Sequence, residues 1–358
     1  MGSNVNSHIH IIGLGLIGGS IALALKSRGF TVSFRESNPD HAEIARTIGL
    51  TERSADDLSP EIVFVCVPPA QAASVLAQAS LDFPDATITD VTSVKGAVLS
   101  RAIELGVDTH RMVSAHPMAG REVSGPRAAR SDLFEDRVWV ITPSQDSDQE
   151  RVRSIENIVE VMGSSWVKMD ADHHDRVVAL VSHTPQILSS VLAGELAGED
   201  PHDLAISGAA LSDMTRIAAS DPQLWQEILL ANSTEVVRVM DSVISAMNRL
   251  RDALNEGDAE VISHVIARGN KGRDQVPGKH GGQPVAFEAV NVMISDKPGS
   301  LAELFTAAGE LDVNLEDVRI EHVMGRPSGI VQLFVRRGQA EVLELGLDSQ
   351  GFDTRGRA

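Results

Sequence analysis

Residues 11–25, IIGLGLIGGSIALAL, decide the fold class of the first part of the chain. Gly13, Gly15 and Gly18 form the pattern G-x-G-x-x-G between an apolar segment that predicts a strand and an apolar segment that predicts a helix. In such a turn the first glycine permits a tight bend, the second lets a pyrophosphate approach the backbone, and the third lets the helix pack closely. The pattern therefore predicts a dinucleotide-binding turn.

The residues around this turn indicate which nucleotide it would bind. Leu16 and Ile17 begin the predicted helix, where backbone amides point toward a phosphate. Glu36 follows Gly18 by 18 residues, at the predicted end of the second strand, where a carboxylate accepts hydrogen bonds from the adenosine ribose. A carboxylate there repels a 2′-phosphate, so NAD is favoured over NADP, although the guanidinium of Arg35 could hold such a phosphate.

Residues 8–169 alternate short apolar runs with helical stretches. The runs that predict strands are residues 8–13, 31–36, 62–67, 86–91, 111–116, 138–143 and 165–169. Continuously apolar strands separated by helices predict a parallel sheet covered on both faces. We therefore expect an α/β, Rossmann-type domain over residues 1–169.

Residues 170–270 are expected to form an all-helical domain. Within it, apolar residues recur at alternating spacings of four and three: Val236, Met240, Val243, Met247, Leu250 and Leu254. This heptad pattern fits either a homodimer interface or a core-facing helix, and the long helical context favours the homodimer. Residues 271–284, rich in Gly and Pro, predict a linker.

Residues 285–358 predict a small ferredoxin-like α+β domain with the order βαββαβ. The first predicted helix begins at Ser300, and Glu303 three residues later suggests a capping box.

Composition excludes several classes of function. The net charge of -19 argues against a nucleic-acid partner. No apolar run approaches the length of a membrane span, and no signal peptide is recognised, so we expect a cytoplasmic protein. The single cysteine, Cys66, lies in an apolar run and is interpreted as a buried strand residue rather than a nucleophile.

Candidate catalytic residues follow two predicted strands. His116 ends the fifth run, at the sheet edge where open α/β sheets bind ligands, and an imidazole suits acceptance of an alcohol proton. Its alternative is a hydrogen-bonded structural histidine. Asp90, Ser93 and Lys95 leave the preceding strand at the same edge and could contact substrate or nicotinamide, although Ser93 could equally cap a helix.

The helical part adds three features. His173, His174, Asp175 and His183 could form a metal site, but the spacing is not H-E-x-x-H and we expect no metal. Arg216, in an apolar helix before Trp225, indicates an anionic ligand or a structural ion pair with Asp213 or Glu122. The absence of lysine from 170 through 270 excludes dehydrogenases whose catalytic lysine lies on the helical domain.

Five blocks in this order resemble the prephenate/arogenate dehydrogenase family over residues 8–255: GLGLIGGS, TDVTSVKG, HPMAGREVSGP, VSHTP, and DMTRIAASDP with a following Trp. VNVMISDKPGSLAELF resembles an ACT domain, an amino-acid-sensing module. The resemblance implies NAD-dependent oxidative decarboxylation of prephenate to 4-hydroxyphenylpyruvate, in tyrosine synthesis. Aromatic amino acids, tyrosine foremost, are the implied effectors.

The resemblance also implies roles for individual residues. His116 would polarise the substrate C4 hydroxyl, and Ser93 would support that hydroxyl or the nicotinamide. Arg216 would bind a substrate carboxylate and His183 would lie near the substrate side chain. The remaining implied substrate-binding residues are Glu122 and Asp213, which would orient Arg216, and Trp225, which would wall the pocket. Many relatives have Phe-Arg-Asp where this chain has Leu211, Ser212 and Asp213, so one positive charge is missing.

In the C-terminal domain, Gly299, Ser300 and Asn314 are the expected effector contacts, because the turn before the helix offers free amides to an α-carboxylate. A domain that only stabilises the oligomer is the alternative.

Other enzymes and one binding protein fit the whole chain as well. They are an arogenate dehydrogenase, a dehydrogenase of an amino-substituted prephenate, a hydroxyacid or imine reductase, and a non-catalytic sensor of NAD and amino acids.

Overall fold

The computed structural model describes residues 7–52, 59–120, 125–276, 287–322 and 328–354. The chain forms two compact units, Met1–Asn248 and Arg249–Ala358. Each unit is described separately below.

The first unit begins with a parallel sheet. Its strands are β1 (His8–Ile12), β2 (Thr31–Arg35), β3 (Thr51–Glu52), β4 (Ile62–Val65) and β5 (Thr87–Asp90). The order across the sheet is β3-β2-β1-β4-β5, with every neighbouring pair parallel. Four of these strands match predicted runs, whereas no apolar run in the sequence predicts β3, which is only two residues long.

Helices connect these strands and cover the sheet. They are α1 (Leu16–Ser27), α2 (Pro39–Thr47), α3 (Pro69–Asp82) and α4 (Gly96–Glu104). Along β1, Ile11 packs into one buried cluster with Leu25 of α1, while Ile12 packs into a second cluster with Leu76 of α3. Alternate residues of the same strand thus face different layers of helix, which confirms a sheet covered on both faces.

Three further strands complete the α/β part: β6 (Val113–Pro117), β7 (Val138–Pro143) and β8 (Ser165–Lys168), with α5 (Gln149–Val161) between the last two. A parallel bridge between Ile88 and Met112 connects β5 to the start of this second sheet. The expectation of a wholly parallel sheet is wrong here, because β7 is antiparallel to β6 and only β8 is parallel to β7. Continuously apolar runs indicate burial on both faces but do not carry strand direction.

The rest of the first unit is helical. Its helices are α6 (Ala171–Val178), α7 (Thr184–Glu195), α8 (Pro201–Leu204), α9 (Ala209–Thr215) and α10 (Pro222–Ala231). A π-helical turn, Ala179–His183, joins α6 to α7, and a 3-10 turn, Arg216–Ala218, follows α9. π turns inside α-helices occur frequently at functional sites.

The continuous helix Ala171–Glu195 has 25 residues and is the one helix among the described residues that is long and apolar enough to span a membrane by length and composition. The expectation that no segment could do so was based on uninterrupted apolar runs, and His174, Asp175 and His183 interrupt this helix. Those three polar side chains are buried against the protein.

Helix α11 (Ser233–Glu256) carries the predicted heptad pattern. Val236 is buried in a small cluster with Ala179, and Met240 packs against that cluster. Met247 and Leu254 are exposed. The first part of the pattern is therefore core-facing within the chain, and the later part leaves apolar side chains on the surface.

The second unit holds α12 (Ala259–Arg273), which extends three residues into the predicted linker. It continues with β9 (Phe287–Ser295), α13 (Ser300–Glu310), β10 (Asp317–His322), β11 (Ser328–Arg336) and α14 (Ala340–Ser349). The sheet is antiparallel with the order β10-β11-β9. The predicted last strand near Phe352 is reduced to one bridge between Asp353 and Met293.

Candidate functional site

The glycine-rich turn has the geometry that its three glycines predict. Gly13 has φ +93°, and a Cβ there would lie 2.5 Å from the carbonyl oxygen of Cys66. A Cβ on Gly18 would lie 2.0 Å from the carbonyl oxygen of Gly13, so the start of α1 packs directly on the turn. Gly15 differs, because a Cβ there would meet no atom within 4 Å. No side chain caps α1, so Gly15 and the helix start are open to a phosphate.

Glu36 and Arg35 at the end of β2 complete the nucleotide site. Glu36 Oε2 accepts a hydrogen bond of 2.6 Å from the amide of Leu14, and Oε1 accepts one of 2.8 Å from the amide of Asn38. Arg35 forms an ion pair of 2.8 Å with Asp82. The carboxylate thus lies beside the glycine turn while the guanidinium is held by α3, which fits an adenosine ribose without a 2′-phosphate.

His116 at the end of β6 begins a buried chain of three side chains. Its Nδ1 lies 2.9 Å from Nε2 of His174, and Nδ1 of His174 lies 2.7 Å from Oδ1 of Asp175. Nε2 of His116 has no hydrogen-bond partner among the described residues. One ring nitrogen of His116 is therefore held by the protein and the other is left for a ligand.

Asp175 connects this chain to helix α4. Its Oδ1 accepts the amide of Lys95 at 2.9 Å and its Oδ2 accepts the amide of Gly96 at 2.8 Å. Burial opposes the charged form, but the hydrogen bonds from His174 and from these two amides hold the pKa of the Asp175 carboxyl below its usual range. The helix start that Ser93 might have capped is thus capped by a residue 80 positions away.

Asp90 and Lys95 form a buried ion pair beneath His116. The ammonium also donates 2.7 Å to the carbonyl of Ala115, the residue before His116. Burial lowers the pKa of Lys95, and the attraction of Asp90 opposes that shift. Both residues are therefore engaged within the fold, whereas the half-buried Ser93 makes no side-chain hydrogen bond to the described residues.

His183, at the end of the π turn, is the second buried histidine of the site and is 1% exposed. Its Nδ1 lies 3.2 Å from Nδ2 of Asn232, whereas its Nε2 is buried without a partner among the described residues. The ring of Trp225 meets the His183 ring edge to face at a centroid distance of 6.0 Å. Leaving a buried nitrogen without a hydrogen-bond partner costs free energy.

Burial governs the protonation of both histidines. Desolvation, followed by the electrostatic effects of His174, Lys95 and His183, holds the pKa of His116 well below its ordinary value. Desolvation lowers the pKa of His183 to about 4, against the opposing effect of Asp175. Both rings are therefore neutral near pH 7. In a neutral ring one nitrogen donates a hydrogen bond and the other accepts one.

Arg216 lies elsewhere than expected, at the start of the 3-10 turn and exposed rather than inside a helix. Gln186, three residues after His183, anchors this turn by donating 2.9 Å from Nε2 to the carbonyl of Ile217. Asp213 is exposed and makes no ion pair with the described residues. Glu122, the other predicted partner of Arg216, lies outside the described residues.

The predicted effector residues lie at the start of α13 and before β10. Gly299 has φ +99° and is the N-cap residue. The predicted capping box is wrong, because no side chain caps α13 and the hydroxyl of Ser300 lies 3.0 Å from that of Ser295. Asn314 is exposed and donates 3.1 Å to Glu316.

Sequence reasoning missed the hydrogen-bonding roles of three residues. The sequence indicates only a metal-ligand role for His174 and Asp175, and the described residues contain no group of three ligating side chains arranged for a metal ion. No sequence pattern singles out Asn232. The available signal was the dipeptide His174-Asp175, which precedes His183 in the same continuous helix. The contact of His174 with His116, 58 residues away, is visible only in the fold.

Cys66 lies directly after β4, partly buried against the core. Burial, reinforced by the nearby charge of Asp90, raises the pKa of its thiol. This environment agrees with a structural cysteine rather than a nucleophile.

Comparison with family models identifies two consecutive domains. Residues 21–168 match the nucleotide-binding domain of prephenate dehydrogenase. Residues 170–268 match the dimerization domain of prephenate dehydrogenase. Together these matches cover well over half of the chain and end before β9.

Individual relatives agree with these matches. The chain is 30% identical to the probable prephenate dehydrogenase NovF of Streptomyces niveus, over 93% of this chain and 95% of that protein. It is 32% identical to the cyclohexadienyl dehydrogenase of Zymomonas mobilis, over 78% of this chain and 99% of that protein. The crystal structure of Aquifex aeolicus prephenate dehydrogenase with hydroxyphenyl propionate and NAD+ superposes with a TM-score of 0.67 at 28% identity, covering 75% of this chain and 98% of that one.

Proposed function

Because this chain belongs to the prephenate dehydrogenase family and is an NAD-dependent enzyme of that family, we propose that its substrate is prephenate and its product 4-hydroxyphenylpyruvate. One observation carries the proposal. His116 is buried and neutral, is held at Nδ1, and has an unpaired Nε2 at the carboxyl end of β6, where it can accept a hydrogen bond from a substrate hydroxyl.

The nucleotide would be held by the turn of Gly13, Gly15 and Gly18, by the start of α1 at Leu16 and Ile17, and by Glu36 at the ribose. A nucleotide bound there would supply its nicotinamide ring as the acceptor of the hydride from C4 of the substrate. The open space at Gly15 and the uncapped start of α1 support this placement.

The chemistry requires no net release of a proton. The C4–H bond breaks and its electron pair leaves with the hydride. The bond between the ring and its carboxylate then breaks to release CO2, and the electron pair of this carbon–carbon bond completes the aromatic ring. His116 Nε2 accepts the hydrogen bond of the C4 hydroxyl and draws negative charge onto its oxygen, and the proton remains with, or returns to, the same oxygen in the phenol. Ser93, whose hydroxyl has no partner among the described residues, would support this oxygen or the nicotinamide.

The two carboxylates of prephenate need cationic or N–H partners in a chain of net charge -19. His183, whose buried Nε2 lacks a partner, would meet the substrate side chain. Arg216 would bind a carboxylate as a charge-assisted pair, with Asp213 and Glu122 as the acidic residues proposed to orient it. Trp225, already in contact with the His183 ring, would form the pocket wall.

The alternative substrate is arogenate, which has an amino group where prephenate has a keto group, and an amino-substituted prephenate is a third. The cyclohexadienyl dehydrogenase among the relatives favours keeping this alternative. Initial rates of nicotinamide reduction with prephenate and arogenate, each with NAD and with NADP, test the proposal. We expect the highest kcat/KM for prephenate with NAD, and a higher value for arogenate would refute the choice of substrate.

We propose that the enzyme is a homodimer. The match to a dimerization domain supports this, as do the exposed apolar side chains Val191, Met247 and Leu254 on α7 and α11, which a second copy would cover. Sedimentation of the purified protein tests it.

We further propose that residues 285–358 form an ACT-like domain that binds an aromatic amino acid, tyrosine foremost, and inhibits the enzyme. The β-α-β-β-α order and the uncapped start of α13 support this role, with Gly299, Ser300 and Asn314 as candidate contacts. Titration with tyrosine in calorimetric and rate measurements tests it.

A further inference from the structure

Asp175 is hydrogen-bonded toward both buried histidines of the site. Its carboxylate accepts from His174, which contacts His116. Its backbone carbonyl accepts 2.8 Å from Nδ2 of Asn232, which contacts His183. Two short chains of hydrogen bonds therefore start at one residue and end at the two rings.

The first chain determines which nitrogen of His116 carries the proton. An ionised carboxylate only accepts hydrogen bonds, so Nδ1 of His174 must carry a proton. When the His174 ring is neutral, its other nitrogen is an acceptor, so Nε2 of His174 accepts from Nδ1 of His116. The neutral ring of His116 then has its lone pair on Nε2, the nitrogen without a partner among the described residues.

The second chain gives the opposite result at His183. A backbone carbonyl only accepts, so the atom of Asn232 that contacts it must be the amide nitrogen, a donor. The same amide nitrogen contacts Nδ1 of His183, which must therefore be the acceptor. The neutral ring of His183 then carries its proton on Nε2, the buried nitrogen without a partner.

We propose that Asp175, acting through His174 and Asn232, sets the two site histidines in opposite tautomers, so that His116 accepts at Nε2 and His183 donates at Nε2. Asp175, His174 and Asn232 are positioning residues and touch no reacting atom. The use of these tautomers rests on the proposed function: an acceptor suits the substrate hydroxyl, and a neutral N–H donor suits a carboxylate or keto oxygen.

The arrangement also explains why an acidic side chain of helix α6 is buried against the start of helix α4. The amides of Lys95 and Gly96 hold the Asp175 carboxylate in its charged form, which is the form that dictates the proton on His174. In a serine-protease triad, a wrong tautomer at the corresponding histidine lowers kcat by about 10⁴-fold.

Nitrogen NMR of protein labelled with 15N-histidine tests the tautomers directly, because protonated and unprotonated ring nitrogens resonate far apart. Spectra of His116→Asn and His183→Asn assign the two rings. In the unmodified enzyme at pH 7 we expect a protonated Nδ1 in His116 and a protonated Nε2 in His183. A proton on Nε2 of His116, or on Nδ1 of His183, would overturn the proposal without any variant.

Two variants separate the chains. His174→Phe should abolish the preference of His116 for a proton on Nδ1 and leave the tautomer of His183 unchanged. His174→Gln, whose amide oxygen can occupy the position of the His174 Nε2, should restore the proton to Nδ1 of His116. Asn232→Leu should alter His183 and leave His116 unchanged. His202→Phe, at an exposed position of α8, is the matched control and should alter neither. An unchanged His116 in His174→Phe would contradict the first chain.

Activity gives an independent readout. His174→Phe should lower kcat roughly 10- to 100-fold, as loss of an outer-shell partner commonly does, while the Kd for NAD stays unchanged. The spectra require no substrate. Expected spectra without turnover of any cyclohexadienol would therefore contradict the proposed function alone, and reversed tautomers with full turnover would contradict this proposal alone.

Discussion

The backbone amide of Leu14 donates a hydrogen bond of 2.6 Å to Oε2 of Glu36, which ties the glycine-rich turn to the end of β2. One carboxylate therefore shapes the turn, and we propose that it also accepts from the adenosine ribose. Arg35, the neighbour that could have favoured a 2′-phosphate, is paired with Asp82 at 2.8 Å.

From this relationship we expect Glu36→Ala to weaken NAD binding and to narrow the preference for NAD over NADP. The reason is that the variant has no carboxylate to accept hydrogen bonds from the ribose or to repel a 2′-phosphate. Kd values for both nucleotides, measured by titration, check it. Glu43→Ala, which removes an exposed carboxylate of α2 paired with Arg46, is the control and should change neither value. An unchanged NAD-to-NADP ratio in Glu36→Ala would refute our placement of the ribose.

His116→Asn should keep NAD binding and lower kcat by roughly 10²–10⁴-fold, the usual contribution of a positioned acid–base group. Asparagine retains a polar group near Nδ1 but presents no imidazole nitrogen at the position of Nε2. Single-turnover rates with saturating NAD check the chemical step directly. Turnover within a few-fold of the unmodified enzyme would leave His116 as a structural residue.

The pH profile of kcat/KM should rise with pH on its acid side, because only neutral His116 accepts the hydroxyl hydrogen bond. Since burial and neighbouring positive charges hold its pKa well below the usual histidine value, we expect the rise to lie below about pH 6.5 and the profile to be level from there to neutrality. An acid limb centred at or above pH 6.5 would contradict the burial of this group in the working enzyme.

The stability of the fold must be measured over the same pH range, because it also falls as the pH falls. The pKa values of buried His10 and His183 are lowered to about 4, so below about pH 6.5 these histidines bind protons in the unfolded chain but not in the folded protein. Keeping them neutral therefore costs no free energy of folding above that pH, and it destabilises the fold increasingly as the pH falls toward 4. Tm values across the range distinguish loss of the fold from loss of the catalytic form.

Arg216→Ala should raise KM for substrate far more than for NAD. Loss of a charge-assisted carboxylate contact costs about 1.5–3 kcal/mol, which corresponds to roughly 10- to 150-fold in KM. Arg238→Ala, an exposed arginine on α11 paired with Glu235, is the control for loss of surface charge and should leave both constants unchanged. Equal increases in both constants for Arg216→Ala would point to a structural ion pair instead.

The sequence predicted what depends on local pattern. The glycine spacing, Glu36 and the apolar runs identified the nucleotide site and seven of the eight strands of the α/β part, because strand and turn formation depend on residues close in the chain. The reversed direction of β7 and the cap of α4 by Asp175 escaped, because each depends on a partner far along the chain. His116 was found by its place on a strand edge, whereas the residues that orient it were not.

The last prediction concerns the C-terminal domain. Gly299 has φ +99° at the start of α13, a backbone conformation that a residue with a side chain adopts only with strain. A Cβ there would meet no atom within 4 Å, so a side chain would not clash with its neighbours. Gly299→Val should therefore shift the turn that presents the amides and abolish tyrosine inhibition without changing kcat. Gly338→Val, at φ +89° in the turn before α14, is the matched control for backbone strain in the same domain and should keep inhibition. Truncation after Gln283 should leave most of the activity and remove inhibition, since all the proposed effector contacts lie in the segment that it removes. If the full-length enzyme ignores tyrosine, phenylalanine and tryptophan at millimolar concentration, and calorimetry detects no binding, the domain has a structural role and the sensing proposal is wrong.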